Sequence, residues 1–174
     1  PECEKEYLDI NDRRFHAQPI ACLECGPEYT WHEGEREEKD HEKILNLLAA
    51  QLEQGKVVAV KGTGGYHLVC DALNDKAVKR IREIKKRDGK PFAVLFKNID
   101  TVKEYASLSS LEEKLLLSVR RPILLLKAKK SLSGQITFGL NTLGGMLPYL
   151  PLHYLLMNLI SLPAIVCTSA NLTG

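Results

Sequence analysis

The stretch that most constrains the fold runs from Asn74 to Phe96. Asn74-Asp75 reads as a helix cap, and Ala77, Val78, Ile81 and Ile84 recur at helical spacing. A few residues later Phe92-Ala93-Val94-Leu95-Phe96 is an unbroken apolar run, which reads as a buried strand. A helix feeding so quickly into a buried strand demands a sheet with helices against it. The connection holds Lys85, Lys86, Arg87 and Lys90, with Gly89 and Pro91 as its punctuation. Lys85 and Arg87 are two apart, so an extended connection would point both heads the same way. Such a pair suits a polyphosphate, for which Arg offers a planar fork and Lys a point charge. An equal alternative is a helix C-terminus enriched in cations to match its dipole.

The remaining elements follow the same scheme. Val57–Val60, Tyr66–Cys70, Pro122–Leu126 and Ile165–Cys167 read as strands. Ile44, Leu45, Leu48 and Leu52 form a helical stripe stopped by Gly55. Residues 98–106 and 109–118 read as helices opened by Asn98 and Ser109, and 148–159 as an apolar helix. Glu35–Lys43 reads as a solvated hinge, and 128–147 as a long glycine-containing loop. The fold class is therefore α/β (α+β), a twisted mixed sheet with flanking helices. Val57–Val60, Phe92–Phe96 and Ile165–Cys167, apolar on both faces, are expected as neighbouring core strands. A chain of 174 residues allows one domain with a small appendage. Residues 1–34 are expected as that appendage and 35–174 as the main domain.

Lys plus Arg is 24 and Asp plus Glu 22, a net charge of +2, which signals neither nucleic acid nor a membrane surface as a partner. No secretory leader or apolar run long enough to span a bilayer is present. Cys70 and Cys167 lie in apolar strands while Cys3, Cys22 and Cys25 cluster at the start. That is a poor disulfide pattern and fits a reducing cytoplasm. The chain starts without Met, inside what reads as a metal motif, and stops in a loop. The expectation is a piece cut at both ends.

Cys22-Leu23-Glu24-Cys25-Gly26 is a thiolate knuckle of the kind a tetrahedral zinc site needs, and Cys3 supplies a third sulfur. The fourth ligand is expected from a Cys preceding Pro1, from His16, or from water. Lys61-Gly62-Thr63-Gly64-Gly65 joins two strands. It reads either as an amide-rich cradle for an anion or carbonyl, with Lys61 adding charge, or as a plain hairpin turn. A cradle would require glycine at Gly62 and Gly64, for positive φ or for close approach. His67 is either a base or a packed histidine. The sequence has no Walker loop, catalytic Ser-His-Asp spacing or His-Glu-x-x-His helix. Polar residues near strand ends are mainly cations, hydroxyls and amides, which suits positioning and charge stabilisation of an anion.

Three pieces together resemble a known family. Lys85-Lys86-Arg87 with Lys90-Pro91 resembles the Lys-x-Arg motif of YrdC-like domains, and Ser169-Ala170-Asn171 their Ser-x-Asn motif. Cys3, Asp12–Pro19 and Cys22–Pro27 are similar to the second zinc finger of HypF-type carbamoyltransferases, which act in nickel–iron hydrogenase maturation. Lys61–Leu68 and Gly145–Tyr149 look like the HypF versions of YrdC loops.

The resemblance implies a YrdC-like sheet preceded by part of a zinc finger. It implies structural Zn²⁺ on Cys3, Cys22 and Cys25, with ATP and Mg²⁺ as the substrate complex. It further implies carbamoyl-adenylate formation from carbamate derived from carbamoyl phosphate, for transfer to the C-terminal cysteine of HypE. Lys85, Arg87, Ser169 and Asn171 would act on the reacting groups. Lys61, Gly62, Thr63, Gly64, Tyr66, His67 and Lys90 would bind nucleotide or substrate, and Arg121, at the head of its strand, joins them. All are expected to meet at one shared polar edge. The tRNA-modifying relatives carry Pro-Thr-Glu-Thr where this chain has Lys61-Gly62-Thr63-Gly64. That departure weighs against the alternative of threonylcarbamoyl-adenylate synthesis. Another alternative is an RNA-binding module without catalysis, which near-neutral charge disfavours. A third is a truncated, inert piece.

Overall fold

The computed structural model describes residues 1–171 apart from Pro19, Leu23, Asp88 and Ser131. Residues 172–174, the end of the expected main domain, lie outside the described residues. The chain divides into two compact units, Pro1–Ile44 and Leu45–Gly174.

The first unit opens with α1 (Glu2–Leu8), which buries Cys3. A hairpin follows, β1 (Trp31–Glu33) paired antiparallel with β2 (Arg36–Glu38). Gly34, at φ +62, makes its two-residue turn. This corrects the solvated hinge expected at Glu35–Lys43. Arg36, Glu37 and Glu38 are all charged, so the strand offers no apolar alternation to read. Nor is 41–43 hinge, because α2 (His41–Glu53) starts at His41.

The second unit is built on seven strands in the order β3-β4-β9-β5-β8-β7-β6. They are β3 (Val58–Lys61), β4 (Tyr66–Asp71), β5 (Ala93–Phe96), β6 (Ala106–Ser107), β7 (Leu124–Ala128), β8 (Thr142–Met146) and β9 (Ala164–Ser169). Only β5 and β8 run parallel; every other pair is antiparallel. The mixed sheet expected from the sequence is present. β9 lies beside β5, as expected, but β3 is an edge strand that pairs with β4 alone. Its side chains are half-buried or exposed, so an apolar composition did not make it a core strand.

The helices start where the caps place them. Asn74, Asn98 and Ser109 accept the first-turn amides of α3 (Asp75–Lys85), α4 (Ile99–Tyr105) and α5 (Ser110–Leu117), and Ser109 completes a capping box with Glu112. With α6 (Gly134–Thr137), these helices bury Val78, Ile81, Val102, Tyr105, Leu116 and Ile136 against Cys70, Val94, Phe96, Leu126, Leu143 and Val166. Each such side chain contributes ~1.5–3 kcal/mol when fully buried. Strand residues alternate between faces, so Val69, Leu95, Met146 and Ile165 are buried on the opposite side. The last helix, α7 (Pro151–Leu159), has proline in its first turn and buries Leu152, His153, Leu156 and Met157.

The loop expected at 128–147 is instead α6 and a central strand. β8 lies between β5 and β7, with Gly144 and Gly145 inside it. Those glycines serve packing. A Cβ on Gly145 would stand 3.0 Å from Leu126 Cδ1 and 3.3 Å from the Phe96 ring. Gly145→Val should therefore lower stability by ~1–3 kcal/mol through overpacking, read as a drop in the urea midpoint. Gly64, where nothing lies within 4 Å of an added Cβ, should accept Ala within about 0.5 kcal/mol.

Candidate functional site

Lys85 is the last residue of α3 and is only 5% exposed. Its ammonium donates to the carbonyl oxygens of Ser169 at 2.5 Å and Asn171 at 2.7 Å. Burial, with Arg87 nearby, pulls its pKa below the usual lysine range. Helix α3 ends in a left-handed residue, Lys86, at φ +47. Lys85 and Arg87 are thus not neighbours on an extended loop, as the sequence suggested; a helix end and a sharp turn separate them. Arg87 donates from Nη2 to Pro91 O at 3.1 Å and lies over the Phe92 ring, while its buried Nε has no hydrogen-bond partner among the described residues. Such an orphan donor is a place where an acceptor from a ligand would be well received.

A cavity of about 760 Å³ opens on the sheet face opposite α3–α6. It is lined by His67 of β4, Met146 of β8, and Cys167 and Ser169 of β9. Arg120, Arg121, Ile123, Tyr149 and Tyr154 complete the wall with Val119. Its charged lining groups are two guanidiniums, and no carboxylate is among the described residues that line it. Arg121 is held at φ +43, with Nη1 donating to Leu116 O at 3.1 Å. The structure therefore brings Ser169, His67 and Arg121 to one cavity and ties Lys85 to the strand end beside it. Lys61, Arg87 and Lys90 are not among the residues that line it. Asn171 is exposed, and its carbonyl receives Lys85. Lys61 and Tyr66 lie at the mouth of the β3–β4 hairpin with the ammonium 5.2 Å from the ring.

That hairpin closes through Gly62 N–H donating to Gly65 O at 2.7 Å. A Cβ on Gly62 would come within 2.9 Å of His67 Cε1, so a larger residue there would have to displace the His67 ring. At Gly64 the space around an added Cβ is open and φ is not positive, so glycine there would serve only the close approach of a ligand. Thr63 is exposed beside Gly64.

Behind His67 stands His153, 4% exposed, its Nδ1 without a hydrogen-bond partner and its ring edge-on to Tyr149 at 4.6 Å. Burial, with His67 nearby, pushes its pKa down to about 4. Neither His153 nor Arg120 was singled out from the sequence. Arg82 was also missed. Val78, Ile81, Arg82 and Lys85 share the i, i+3, i+4, i+7 spacing of one buried stripe, and that pattern marks two cations as inward-facing.

In the first unit the sulfurs of Cys3, Cys22 and Cys25 lie within 4.8 Å of one another. Gly26 N–H donates to Cys22 O at 2.8 Å, and a Cβ on Gly26 would meet that oxygen. Backbone amides, that of Cys3 foremost, lower the Cys22 pKa to about 6, whereas the hydrogen bond to Cys25 and burial raise Cys3 to about 11. Three converging sulfurs on a glycine knuckle fit a zinc ion. His16 does not join them: its ring is stacked against Tyr7 and Phe15. Cys70 and Cys167 are buried free thiols with pKa values pushed up to about 12 by burial.

Residues 50–174 match a family model for Sua5, YciO and YrdC described as telomere recombination, and residues 1–32 match the HypF finger. The chain is 44% identical to carbamoyltransferase HypF of Rhodobacter capsulatus over its whole length, spanning 23% of that protein. It resembles a crystal structure of full-length HypF in the phosphate- and nucleotide-bound form, with TM-score 0.83 and 49% identity. That match covers 98% of this chain and 22% of that one. A putative threonylcarbamoyl-AMP synthase of Methanocaldococcus jannaschii is more distant, 26% identical over 80% of this chain and 66% of its own length.

The buried imidazole generates a pH prediction. An unfolded chain binds the His153 proton near pH 6.5, and the folded chain resists it down to about 4. Stability should therefore fall as pH drops through that interval, by roughly 3 kcal/mol in all. His153→Leu should flatten the slope between urea unfolding at pH 7 and at pH 4.5.

Proposed function

The chain belongs to the Sua5, YciO and YrdC family in its HypF form, and from that membership we propose that it forms carbamoyl-adenylate from carbamate and ATP. In this reading a carbamate oxygen attacks the α-phosphorus. The new O–P bond replaces the bond to the β-phosphate, and pyrophosphate leaves with its electron pair. The step needs positive charge on the leaving phosphates and a shaped, water-poor place for carbamate.

The observation that supports it best is the Lys85 ammonium joined to Ser169 and Asn171, which links the two sequence motifs in one contact. An ammonium has three donors, and among the described residues two of them are used, so the third would serve a phosphate oxygen. Arg87, with its unpartnered Nε, takes the β- and γ-phosphates, and Arg121 extends the positive wall. The Ser169 hydroxyl and Asn171 amide orient carbamate and the α-phosphate. Lys61, Tyr66, His67 and the Gly62–Gly64 turn enclose the small acceptor, and Lys90 stands by the triphosphate. Mg²⁺ accompanies ATP.

As a whole-protein activity, the carbamate arises from carbamoyl phosphate and the carbamoyl group passes to the C-terminal cysteine of HypE, in the cytoplasm. No described helix is long and apolar enough to cross a membrane. The zinc-finger part falls within the first compact unit, Pro1–Ile44, and the nucleotide-binding domain within the second, in place of the boundary expected between 34 and 35, which would divide the β1–β2 hairpin.

In the full-length enzyme, ATP–pyrophosphate exchange should depend on carbamoyl phosphate and be indifferent to L-threonine. Exchange that needs threonine and bicarbonate instead would replace this reading with threonylcarbamoyl-adenylate synthesis. Lys85→Ala and Arg87→Ala should each weaken ATP by roughly 1.5–3 kcal/mol in calorimetry. Arg87→Lys should also weaken it, because a point charge cannot reproduce the fork. Unchanged affinity in both alanine variants would leave the cations as helix-end charges. Metal analysis under reducing conditions should find one zinc for this finger in the full-length protein and lose it in Cys22→Ser; equal zinc in both would remove Cys22 from the site.

A further inference from the structure

Arg82 is a buried cation, 7% exposed, sandwiched between two aromatic rings. Its guanidinium lies 4.5 Å from the Phe92 ring centre and 4.7 Å from that of Phe138. Nε donates to Gln135 O at 2.7 Å, and Nη2 reaches the same oxygen. Nη1 donates at 3.1 Å both to Arg87 O and to Lys90 O. The Arg87 amide donates in turn to Arg82 O at 3.2 Å. One planar fork thus holds both ends of the connection that carries Arg87, and anchors it to the α6 turn.

We propose that Arg82 is a positioning residue for the nucleotide site: it fixes the Arg87–Lys90 connection, and so the reach of the Arg87 guanidinium, while touching no substrate itself. The inference rests on the reading of Arg87 as a triphosphate ligand. The physical need is plain from the sequence. A connection that follows a left-handed helix end and contains Gly89, at φ +73, has little stiffness of its own. A short cationic loop left free would spread Arg87 over many positions, and each productive contact would then bear the entropy of ordering it. Arg82 removes that freedom beforehand. Lysine at position 82 keeps the charge but cannot span three acceptors in a plane or stack between Phe92 and Phe138.

The test uses the full-length protein with Arg82→Lys, Arg87→Ala and the double variant. Arg82→Met is a second probe of the clamp, and Arg82→Lys serves where the Met variant does not fold. In Arg82→Lys, hydrogen–deuterium exchange in the peptide spanning 86–91 should rise by about tenfold while strands β5 and β9 stay protected. The KM for ATP in carbamoyl-phosphate-dependent pyrophosphate exchange should rise by about tenfold with kcat within about twofold. In the Arg87→Ala background the same Arg82→Lys change should add almost nothing, because its route to the nucleotide is already gone. Unchanged exchange in the 86–91 peptide overturns the clamp. Additive KM effects in the double variant overturn the route through Arg87. If Arg87→Ala raises KM and Arg82→Lys does not, the inference alone fails. If Arg87→Ala leaves KM unchanged, the reading of the site fails, and the inference with it.

Discussion

A buried ammonium is an expensive group, and the second unit is arranged so that Lys85 can be one. It sits at the end of α3, with Asn74 at the other end capping the start of that helix. Its partners are carbonyls at the end of β9, a strand near the middle of the sheet flanked by β4 and β5. A helix that began one residue later would carry Lys85 about 100° round its axis, away from those oxygens. The position of a charge is thus set by a cap eleven residues away and by strand register, which are both rigid features. The same helix carries Arg82 one turn earlier, so a single stripe delivers one cation to the strand end and one to the connection beyond.

Elements with a local chemical signature were legible in the sequence. Asn74, Asn98 and Ser109 mark their helices because an N-cap is a single-residue event. Phe92–Phe96 and Ile165–Cys167 are buried strands because they are apolar throughout. What escaped was determined by partners far away in sequence. Gly144 and Gly145 read as loop residues, yet they are the small residues that let Leu126 and Phe96 close over β8. β3 reads like a core strand but has a neighbour on one side only. The hairpin of Trp31–Glu38 is held by a ladder whose side chains are mostly charged, so period-two patterning never shows.

The same division holds at the candidate site. Lys85 and Ser169 were paired from motifs eighty residues apart, and the geometry joins them by a direct hydrogen bond. Gly62 and Gly64 of the 61–65 turn looked equivalent, whereas of the two only Gly62 faces an obstacle, the ring of His67. Arg82 was not singled out from the sequence. The carbonyls it meets belong to Gln135 in α6 and to Arg87 and Lys90 in the connection after α3, two places far apart in the chain.

The choice of hydrogen-bond partners around these cations bears on how a chain with net charge of only +2 could offer the proposed phosphate-binding region. The hydrogen bonds described for Lys85, Arg82, Arg87 and Arg121 all end on backbone carbonyl oxygens. A carbonyl satisfies a donor without cancelling its charge. A carboxylate would satisfy it and also neutralise it, and an arriving phosphate would then have to break an ion pair to gain one. The ion pairs among the described residues join acidic groups to other cations, such as Glu6 with Arg14, Glu37 with Lys39, Glu83 with Arg80, and Glu113 with Lys103. Carbonyl dipoles hold Lys85 and Arg121 in place without cancelling their charge. That separation costs some stability, visible in the lowered pKa of Lys85. In the proposed function, the return is a site whose attraction for a polyphosphate does not depend on the total charge of the chain.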